Sequence, residues 1–311
     1  MMMNRKEFIK LTALAGGMYT AVGIIKGREI SGAVSFPDIS AAELQQFLVS
    51  LTRLGPKTVD RIIIGNPQTK IRKIGTCWMP YWETCKKAVE TGVNILVTHE
   101  PTFYTHWDLD EEQEDYYKSS DYTKKQYLEL VGEKKKWILE NGLVIIRNHD
   151  TIDALKDRGI PFALGQFLGY GNEHIIASRT YYNVYKIDNQ PASQVTSAIA
   201  QKLLEIGQPG IAFYGDPDFP VSSVGIGTGC ICDPMEFGDL QPDIFIAIDD
   251  VVRTWTQTAF AADSGRPLIV INHGTSEEMG IRMLNHIIKE RFPEIETIHF
   301  NQGCTYKWIT G

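Results

Sequence analysis

Short apolar runs alternate with amphipathic stretches along most of the chain, and this pattern predicts an α/β fold. Apolar runs bounded by turn residues are typical of buried strands, and apolar residues at helical spacing are typical of helices that cover them. The predicted strands are 61–64, 71–78, 94–98, 143–147, 180–186, 211–214, 221–227, 243–248, 268–272 and 297–300. The predicted helices are 81–91, 125–140, 192–206, 252–264 and 276–291, with another that starts at the capping-box pair Ser40 and Glu43. We therefore expect sheets flanked by helices.

The first 30 residues have a different pattern, which predicts an export signal. A basic stretch at 4–10 precedes an uncharged, largely apolar run at 11–25, and Lys26 closes that run. Such a run suits the apolar region of a signal but is short for a lasting membrane anchor. The order resembles a twin-arginine signal in which Lys6 takes the place of the second arginine. We expect a periplasmic or extracellular protein, with a cytoplasmic extension or an uncleaved membrane tether as the alternatives.

Turn-forming residues at 169–172 interrupt the pattern and mark an expected boundary. Beyond the export signal at 1–30, the chain is predicted to divide into an N-terminal α/β subdomain at 31–178 and a C-terminal one at 179–311. The acidic and aromatic stretch at 105–125 predicts a solvated excursion from the fold or a lid over a site. The lysines at 134–136 predict the solvated face of a helix.

Composition narrows the classes of function. The chain has 311 residues, 43% of them hydrophobic, and a net charge of −7, so it can bury a core and offers no broad basic face for nucleic acid. Its five cysteines contain no C-x-x-C pair. Cys230 and Cys232 could bind metal or form a strained disulfide, but two cysteines on opposite faces of one strand is the favoured interpretation.

Polar side chains are concentrated where three predicted strands end. The three stretches are V-T-H-E-P at 97–101, I-R-N-H-D-T-I-D at 146–153 and V-I-N-H-G-T-S-E at 270–277. In open α/β folds, sites lie beyond the carboxyl ends of strands, where several loops converge. We therefore expect these three stretches to meet at one site.

The residue types at these strand ends are those that bind divalent metals. Imidazole and carboxylate together suit zinc, iron and manganese, and carboxylates can bridge a pair of ions that activates water for hydrolysis. Each residue alone has a structural explanation: a satisfied histidine, a first-turn carboxylate at Glu277, or a helix cap at Asp153. The coincidence at three strand ends favours a metal site.

The same motifs, in this order, resemble those of the NIF-three-like dinuclear metal-centre proteins, whose members are often labelled type 2 GTP cyclohydrolase I. In that family a strand ends in His-His-Pro, followed later by His-Thr-Asn-Leu-Asp and Gly-His-x-x-Ser-Glu. V-G-I-G-T-G at 224–229 is similar to the family's strand that ends in Gly-Ser-Gly. The resemblance runs from about residue 40 to the C-terminus and fits the short form without a central insert.

Carried over by position, the resemblance implies a set of site residues. The implied metal ligands are His99, Asp153, His273 and Glu277, with Glu100 in the place of the family's second histidine. His149 is implied as an auxiliary ligand or a neighbour of the ligands. The implied fold is a pair of related α/β subdomains with mixed sheets, with metals in the cleft between them. The family commonly assembles as a toroidal homohexamer, so a homohexamer is the implied assembly.

The chain also departs from the family pattern. Glu100 adds a negative charge, which favours manganese or magnesium over zinc, or leaves one ion in place of two. Asp150 adds another carboxylate, and Asp249 with Asp250 stands where the family has its acidic strand end. The expected cofactors are divalent ions, one or two per chain, drawn from zinc, manganese, iron and magnesium.

Two hypotheses for the function follow. In the first, the protein is a metal-dependent hydrolase of a small molecule, in which Glu100, His149 and Asp150 move protons. GTP is disfavoured as its substrate, because an exported protein meets little GTP and the sequence has no P-loop. In the second hypothesis, the protein is a non-catalytic metal-binding assembly or interaction protein.

Overall fold

Two mixed β-sheets organise the part of the chain that the computed structural model describes, residues 38–108 and 120–309. The strands of the first sheet are β1 (Ile62–Ile64), β2 (Lys73–Cys77), β3 (Ile95–Thr98), β4 (Val144–Arg147) and β11 (Glu296–Phe300). Their order is β1-β4-β3-β2-β11, with β1 antiparallel to β4 and the other neighbours parallel. The carboxyl ends of β2, β3 and β4 therefore meet at one edge of this sheet.

The second sheet has six strands. They are β5 (Ile175–Arg179), β6 (Tyr182–Pro191), β7 (Ala212–Tyr214), β8 (Pro220–Gly227), β9 (Ile244–Ile248) and β10 (Leu268–Ile271). The order is β5-β6-β8-β9-β10-β7, in which β8, β9 and β10 are parallel to one another. The other pairs are antiparallel. Both sheets are thus mixed, and β8, β9 and β10 end at the same edge.

Helices cover both sheets. They are α1 (Ala41–Val49), α2 (Trp82–Glu90), α3 (Asp121–Glu140), α4 (Asp150–Ala154), α5 (Ile160–Phe167), α6 (Ala192–Leu204), α7 (Ala259–Ser264) and α8 (His273–Arg291). Helix α8 follows β10 of the second sheet and leads to β11 of the first. It buries Ile281 and Leu284 in one core with Val97 of β3, and each such side chain contributes about 1.5–3 kcal/mol. No helix among the described residues is long and apolar enough to span a membrane.

The α/β class and mixed sheets predicted from the sequence are confirmed. So is the capping box: the backbone N–H of Glu43 donates to Ser40 Oγ at 3.3 Å and the N–H of Ser40 donates to Glu43 Oε2 at 2.8 Å. Strand β11, near the end of the chain, completes the first sheet. The division into two subdomains between residues 178 and 179 stays a prediction. The predicted export signal at 1–30 lies outside the described residues, as does most of the predicted excursion at 105–125.

Several local predictions were wrong, each for a physical reason. Helix α8 begins at His273, three residues before the predicted start, because Asn272 caps it. The predicted helix at 252–264 opens with a π-helical turn at Thr254–Thr258, so that α7 is short. Helix α5 was missed because it is buried nearly all round and lacks an amphipathic period. Asp108 and Lys134, expected in solvent, are buried.

Candidate metal centre

The three polar strand ends meet at one cavity, as predicted. Loop residues His99 and Glu100 follow β3, helix α4 follows β4 with His149, Asp150 and Asp153, and α8 follows β10 with His273 and Glu277. All of these residues except His99 line a cavity of about 310 Å³. His99 is fully buried, and its imidazole contacts two of the carboxylates. The fold therefore brings every predicted site residue together.

Glu277 lies between two imidazoles. Its Oε2 is 3.2 Å from His99 Nε2 and 3.2 Å from His273 Nε2. A further carboxylate lies near each of these two nitrogens: Asp153 Oδ1 is 3.7 Å from His99 Nε2, and Glu100 Oε1 is 3.4 Å from His273 Nε2. Two half-sites, each with one imidazole and one carboxylate of its own, thus share the carboxylate of Glu277.

Both Nε2 atoms are buried and, among the described residues, neither makes a hydrogen bond. The opposite ring nitrogens have partners: His273 Nδ1 is 2.6 Å from Asp250 Oδ2, and His99 Nδ1 is 3.4 Å from the carbonyl of Asn148. A carboxylate or carbonyl on one nitrogen fixes the ring so that the other nitrogen faces a metal. Unsatisfied buried nitrogens are rare, and here they point at carboxylates. This donor set fits divalent ions. Two groups that share His99 have ligand atoms close enough to hold an ion, as alternatives to each other: His99, His149, Asp153 and His99, Glu100, Glu277.

The carboxylates and imidazoles of the cluster shift one another's pKa values. Burial alone would lower the pKa of His99, but Glu277, Asp153 and Glu100 raise it to about 9. Burial would also lower the pKa of His273, which Glu277 and Asp250 raise well above its ordinary value. Burial would raise the pKa of Glu277, but these two imidazoles lower it well below its usual range. A metal ion would compete with protons for these imidazole nitrogens, because an imidazole must be neutral to bind it.

Arg147 lies in the second polar stretch, and it is the most important residue to which the sequence analysis gave no role. Its side chain is fully buried at the end of β4, where Nε donates to the carbonyl of His99 at 3.0 Å and Nη1 donates to the carbonyl of His106. Its Nη2 is 3.7 Å from Glu100 Oε2, and Nη1 is 3.5 Å from Asp108 Oδ2. The guanidinium offsets the charge that Glu100 adds. A charged residue in the last position of a buried strand was the available signal.

Three other residues hold the ligands from behind. The indole Nε1 of Trp78 donates to Glu277 Oε2 at 2.6 Å, and the hydroxyl of Thr228 donates to Asp153 Oδ1 at 2.9 Å. Gly229 has φ +40°, and a Cβ there would lie 2.5 Å from Glu277 Oε1 and 3.1 Å from His273 Nε2. Only glycine lets the loop after β8 close over the two ligands. The resemblance of 224–229 to the family's Gly-Ser-Gly strand end was the signal for this loop.

His149 and Asp150 form a pair at the wall of the cavity. His149 Nδ1 is 3.0 Å from Asp150 Oδ1 and 3.4 Å from Asp153 Oδ2, and its ring stacks on that of His99 at 4.3 Å. Asp60 fixes the start of α4 by accepting hydrogen bonds from the backbone N–H groups of residues 149, 150 and 151. The pair therefore has a fixed place next to the His99 half-site.

The favoured interpretation of Cys230 and Cys232, as two cysteines on opposite faces of one strand, was wrong. They lie on a turn after β8, because the strand ends at Gly227 and a 3₁₀ turn follows at Gly229–Ile231. Both thiols are free: Cys232 is buried and donates to the carbonyl of Ile246, whereas Cys230 is exposed. Cys230 Sγ is 4.0 Å from His273 Nδ1, and these two residues form with Asp250 a further group that could hold a metal.

Comparisons with known proteins gave one family model and several solved structures that are similar to this chain. A family model described as Duf34/NIF3 (NGG1p interacting factor 3) matches residues 61–303. The chain is similar to the solved Staphylococcus aureus hypothetical protein SA1388, with 16% identity over 87% of this chain and 99% of that one and a TM-score of 0.67.

Two further solved structures are similar. Reduced HcgD from Methanocaldococcus jannaschii is 16% identical over 85% of this chain and 98% of its own, with a TM-score of 0.60. TTHA1606 from Thermus thermophilus is 17% identical over 85% of this chain and 98% of its own, with a TM-score of 0.61. A search of curated proteins gave no significant match. At these identities the structural likeness shows the fold alone.

Proposed function

The chain belongs to the Duf34/NIF3 family. On that premise we propose that its cluster of strand-end ligands binds divalent metal ions and that the protein is a metal-dependent hydrolase of a small molecule. The observation that carries the proposal is the position of Glu277, whose Oε2 is 3.2 Å from each of two buried imidazole nitrogens that make no hydrogen bond among the described residues. A carboxylate placed in this way is suited to bridging two ions.

Two sets of residues would hold the ions. His99 and Asp153 would hold one, with His149 beside them; His273 and Glu100 would hold the other; and Glu277 would be shared. Ions in this place would supply Lewis acidity and lower the pKa of water for attack on an ester, phosphoester or amide. Trp78 and Asp250 would hold Glu277 and His273 in the orientation that binding needs.

Glu100 sets the metal preference of this chain. An additional carboxylate oxygen makes the His273 half-site harder, which favours manganese or magnesium over zinc. Arg147 lies behind Glu100 and offsets the charge, so that the half-site keeps an oxygen ligand without a net gain in negative charge. We therefore propose that Glu100 retunes the second position and does not abolish it.

Proton transfer is assigned to residues at the wall of the same cavity. His149 and Asp150 are hydrogen-bonded to each other beside the His99 half-site, and Glu100 lies on the opposite side of Glu277. An imidazole held by a carboxylate is suited to accept a proton from water and return it to a leaving group. These three residues also line the cavity, so they can reach a bound substrate.

The assembly and location of the protein are further parts of the proposal. The family resemblance supports a homohexamer, and the basic and apolar start of the chain supports export. Light scattering of the purified protein would give the mass of the assembly. Fractionation of the native host would locate the chain, and a full-length cytoplasmic protein would contradict export.

Turnover measurements test the hydrolase. Protein loaded with Mn²⁺ or Zn²⁺ is screened against phosphoesters, cyclic nucleotides and GTP, with His99→Ala and Glu277→Ala as the site variants. His286→Ala is the matched control, because His286 is an exposed histidine on helix α8. The proposal expects turnover that both site variants lose and the control keeps. Intact metal binding without turnover on any substrate would favour the non-catalytic metal-binding protein.

A further inference from the structure

A second cavity, of about 400 Å³, adjoins the metal centre. It shares four lining residues with the first cavity: Glu100, His106, Cys230 and His273. Two of these, Glu100 and His273, belong to the same half-site of the proposed centre. A molecule in the second cavity would therefore have one end at the ligands of that half-site.

Aromatic side chains form much of the remaining wall. Trp78, Tyr81, Trp82 and Tyr104 all line this cavity, which we name the aromatic annex. Trp78 is 3% exposed and is fixed by its hydrogen bond to Glu277. Tyr81 and Tyr104 are 41% and 48% exposed. Half-exposed rings around a concavity are typical of a binding site, because apolar ring surface left in water gains from being covered.

Tyr104 is held in the annex at a cost in backbone energy. Its φ is +67°, in the left-handed region that residues other than glycine and asparagine seldom adopt. Neighbouring contacts impose this conformation: the backbone N–H of Phe103 donates to Asp108 Oδ1 at 2.8 Å, and the ring of Tyr104 packs edge-on against Tyr127 at 5.9 Å. Strain of this kind clusters at functional sites.

The side-chain charges of the described annex residues disfavour a polyphosphate. Lys134 is the one lysine or arginine among the described residues that line either cavity. Its buried Nζ is already used, donating to the carbonyls of Pro80 at 2.7 Å and Thr102 at 2.8 Å and lying 5.2 Å from the ring centroid of Tyr104. Glu100 and Asp250 are carboxylates of the same wall. A triphosphate would face these carboxylates without a cluster of lysine or arginine side chains from the described lining residues to bind it.

We propose that the aromatic annex binds the flat ring of the substrate: an aromatic or heteroaromatic compound with an oxygen directed toward Glu100 and His273, and with no polyphosphate. The proposal rests on the proposed function, because the oxygen is directed at the ligands of the His273 half-site. It narrows the substrate class from any small ester or amide to ring compounds. Tyr104 and Tyr81 become specificity-determining residues.

A matched pair of ligands tests the proposal by calorimetry on the Mn²⁺-loaded protein. 2-Quinolone is flat, and decahydroquinolin-2-one has the same heavy-atom skeleton and the same lactam oxygen on a saturated, puckered ring. We expect the flat lactam to bind about tenfold more tightly, since stacking on aromatic side chains is worth that much or more. Equal affinities for the two lactams would overturn the proposal.

Variants locate the binding. Tyr104→Asn removes the ring but tolerates the left-handed backbone, and Tyr81→Leu keeps apolar bulk without a π-face. Each should lose about tenfold in affinity for 2-quinolone, whereas Tyr214→Ala on the edge strand β7 should lose none. If Tyr104→Asn unfolds, Tyr81→Leu still decides. An unchanged affinity in Tyr81→Leu, or tighter binding of GTP than of 2-quinolone, would contradict the annex.

The binding test of the annex and the turnover test of the hydrolase can succeed or fail independently. A flat lactam that binds with the expected preference, in a protein that turns over nothing, supports the annex and refutes the hydrolase. Turnover of acyclic esters that is lost in Glu277→Ala, together with equal lactam affinities, supports the hydrolase and refutes the annex.

Discussion

Arg147→Met removes the buried cation behind Glu100 and is expected to destabilise the protein severely. Methionine matches much of the length of arginine and keeps the apolar packing, so the variant chiefly deletes the charge and its donors. The loss leaves the carbonyl of His99 without the N–H of Nε and leaves Glu100 and Asp108 without their nearest guanidinium.

The expected loss of unfolding free energy follows from the burial of the Arg147 guanidinium. Arg147 is fully buried, and breaking a buried ion pair by removing one partner costs about 3–5 kcal/mol, because an uncompensated charge stays behind. That is a large part of the roughly 5–15 kcal/mol by which proteins are stable. Arg158→Met is the control: Arg158 pairs with Glu290 at 2.8 Å on the surface and should cost less than about 1 kcal/mol.

Urea unfolding followed by circular dichroism measures both variants. The double variant Arg147→Met with Glu100→Gln completes a thermodynamic cycle, and it should be more stable than Arg147→Met alone by at least about 1 kcal/mol. The reasoning is refuted if Arg147→Met unfolds within about 1 kcal/mol of the wild type. It is also refuted if the two substitutions simply add, since the guanidinium and Glu100 would then not interact.

Three further predictions concern the metal centre. Gly229→Ala should weaken Mn²⁺ binding at least about tenfold, because the added Cβ would lie 2.5 Å from Glu277 Oε1. The control is Gly265→Ala, which also has a positive φ (+70°) but has open space around the Cβ, and it should bind Mn²⁺ normally. Equal losses of Mn²⁺ affinity in the two variants would refute the steric argument. Trp78→Phe should also weaken Mn²⁺ binding about tenfold or more by removing the N–H that holds Glu277, and an unchanged Kd in calorimetry would exclude that role. Because the pKa of His99 is raised to about 9 from 6.5, its protonated form stabilises the metal-free protein fully below pH 6.5, and this contribution is lost as the pH rises through 9. Metal affinity should show the opposite trend and increase over that range, and a pH-independent Kd together with a flat unfolding profile would contradict the shift.

The sequence was sufficient for most of the strands, though not for β5, and for the three polar strand ends that meet at the cavity, because both depend on local patterns. β3 and β4 are continuous apolar runs that end in polar residues, and parallel strands necessarily present such ends at one edge. Glu277 could be paired with His273 because they lie one helical turn apart on α8.

The rest of the site depends on contacts between residues distant in sequence. Trp78 and Glu277 are 199 positions apart, and no periodicity predicts that the indole N–H binds that carboxylate. The ion pair of Arg147 with Glu100 joins two strand ends, and an arginine at the end of a strand is more often in solvent. The early start of α8 also escaped prediction, because whether Asn272 caps the helix depends on where β10 ends.

Metal content measures the central claim most directly. Purified wild-type protein is saturated with Mn²⁺, freed of excess ion by desalting and analysed by elemental mass spectrometry, in parallel with Glu277→Ala and the surface control His286→Ala. The shared position of Glu277 between His99 and His273 predicts two ions per chain in the wild type and in the control, and fewer than one in Glu277→Ala. One ion per wild-type chain would contradict the pair, and no bound ion would contradict the metal centre itself.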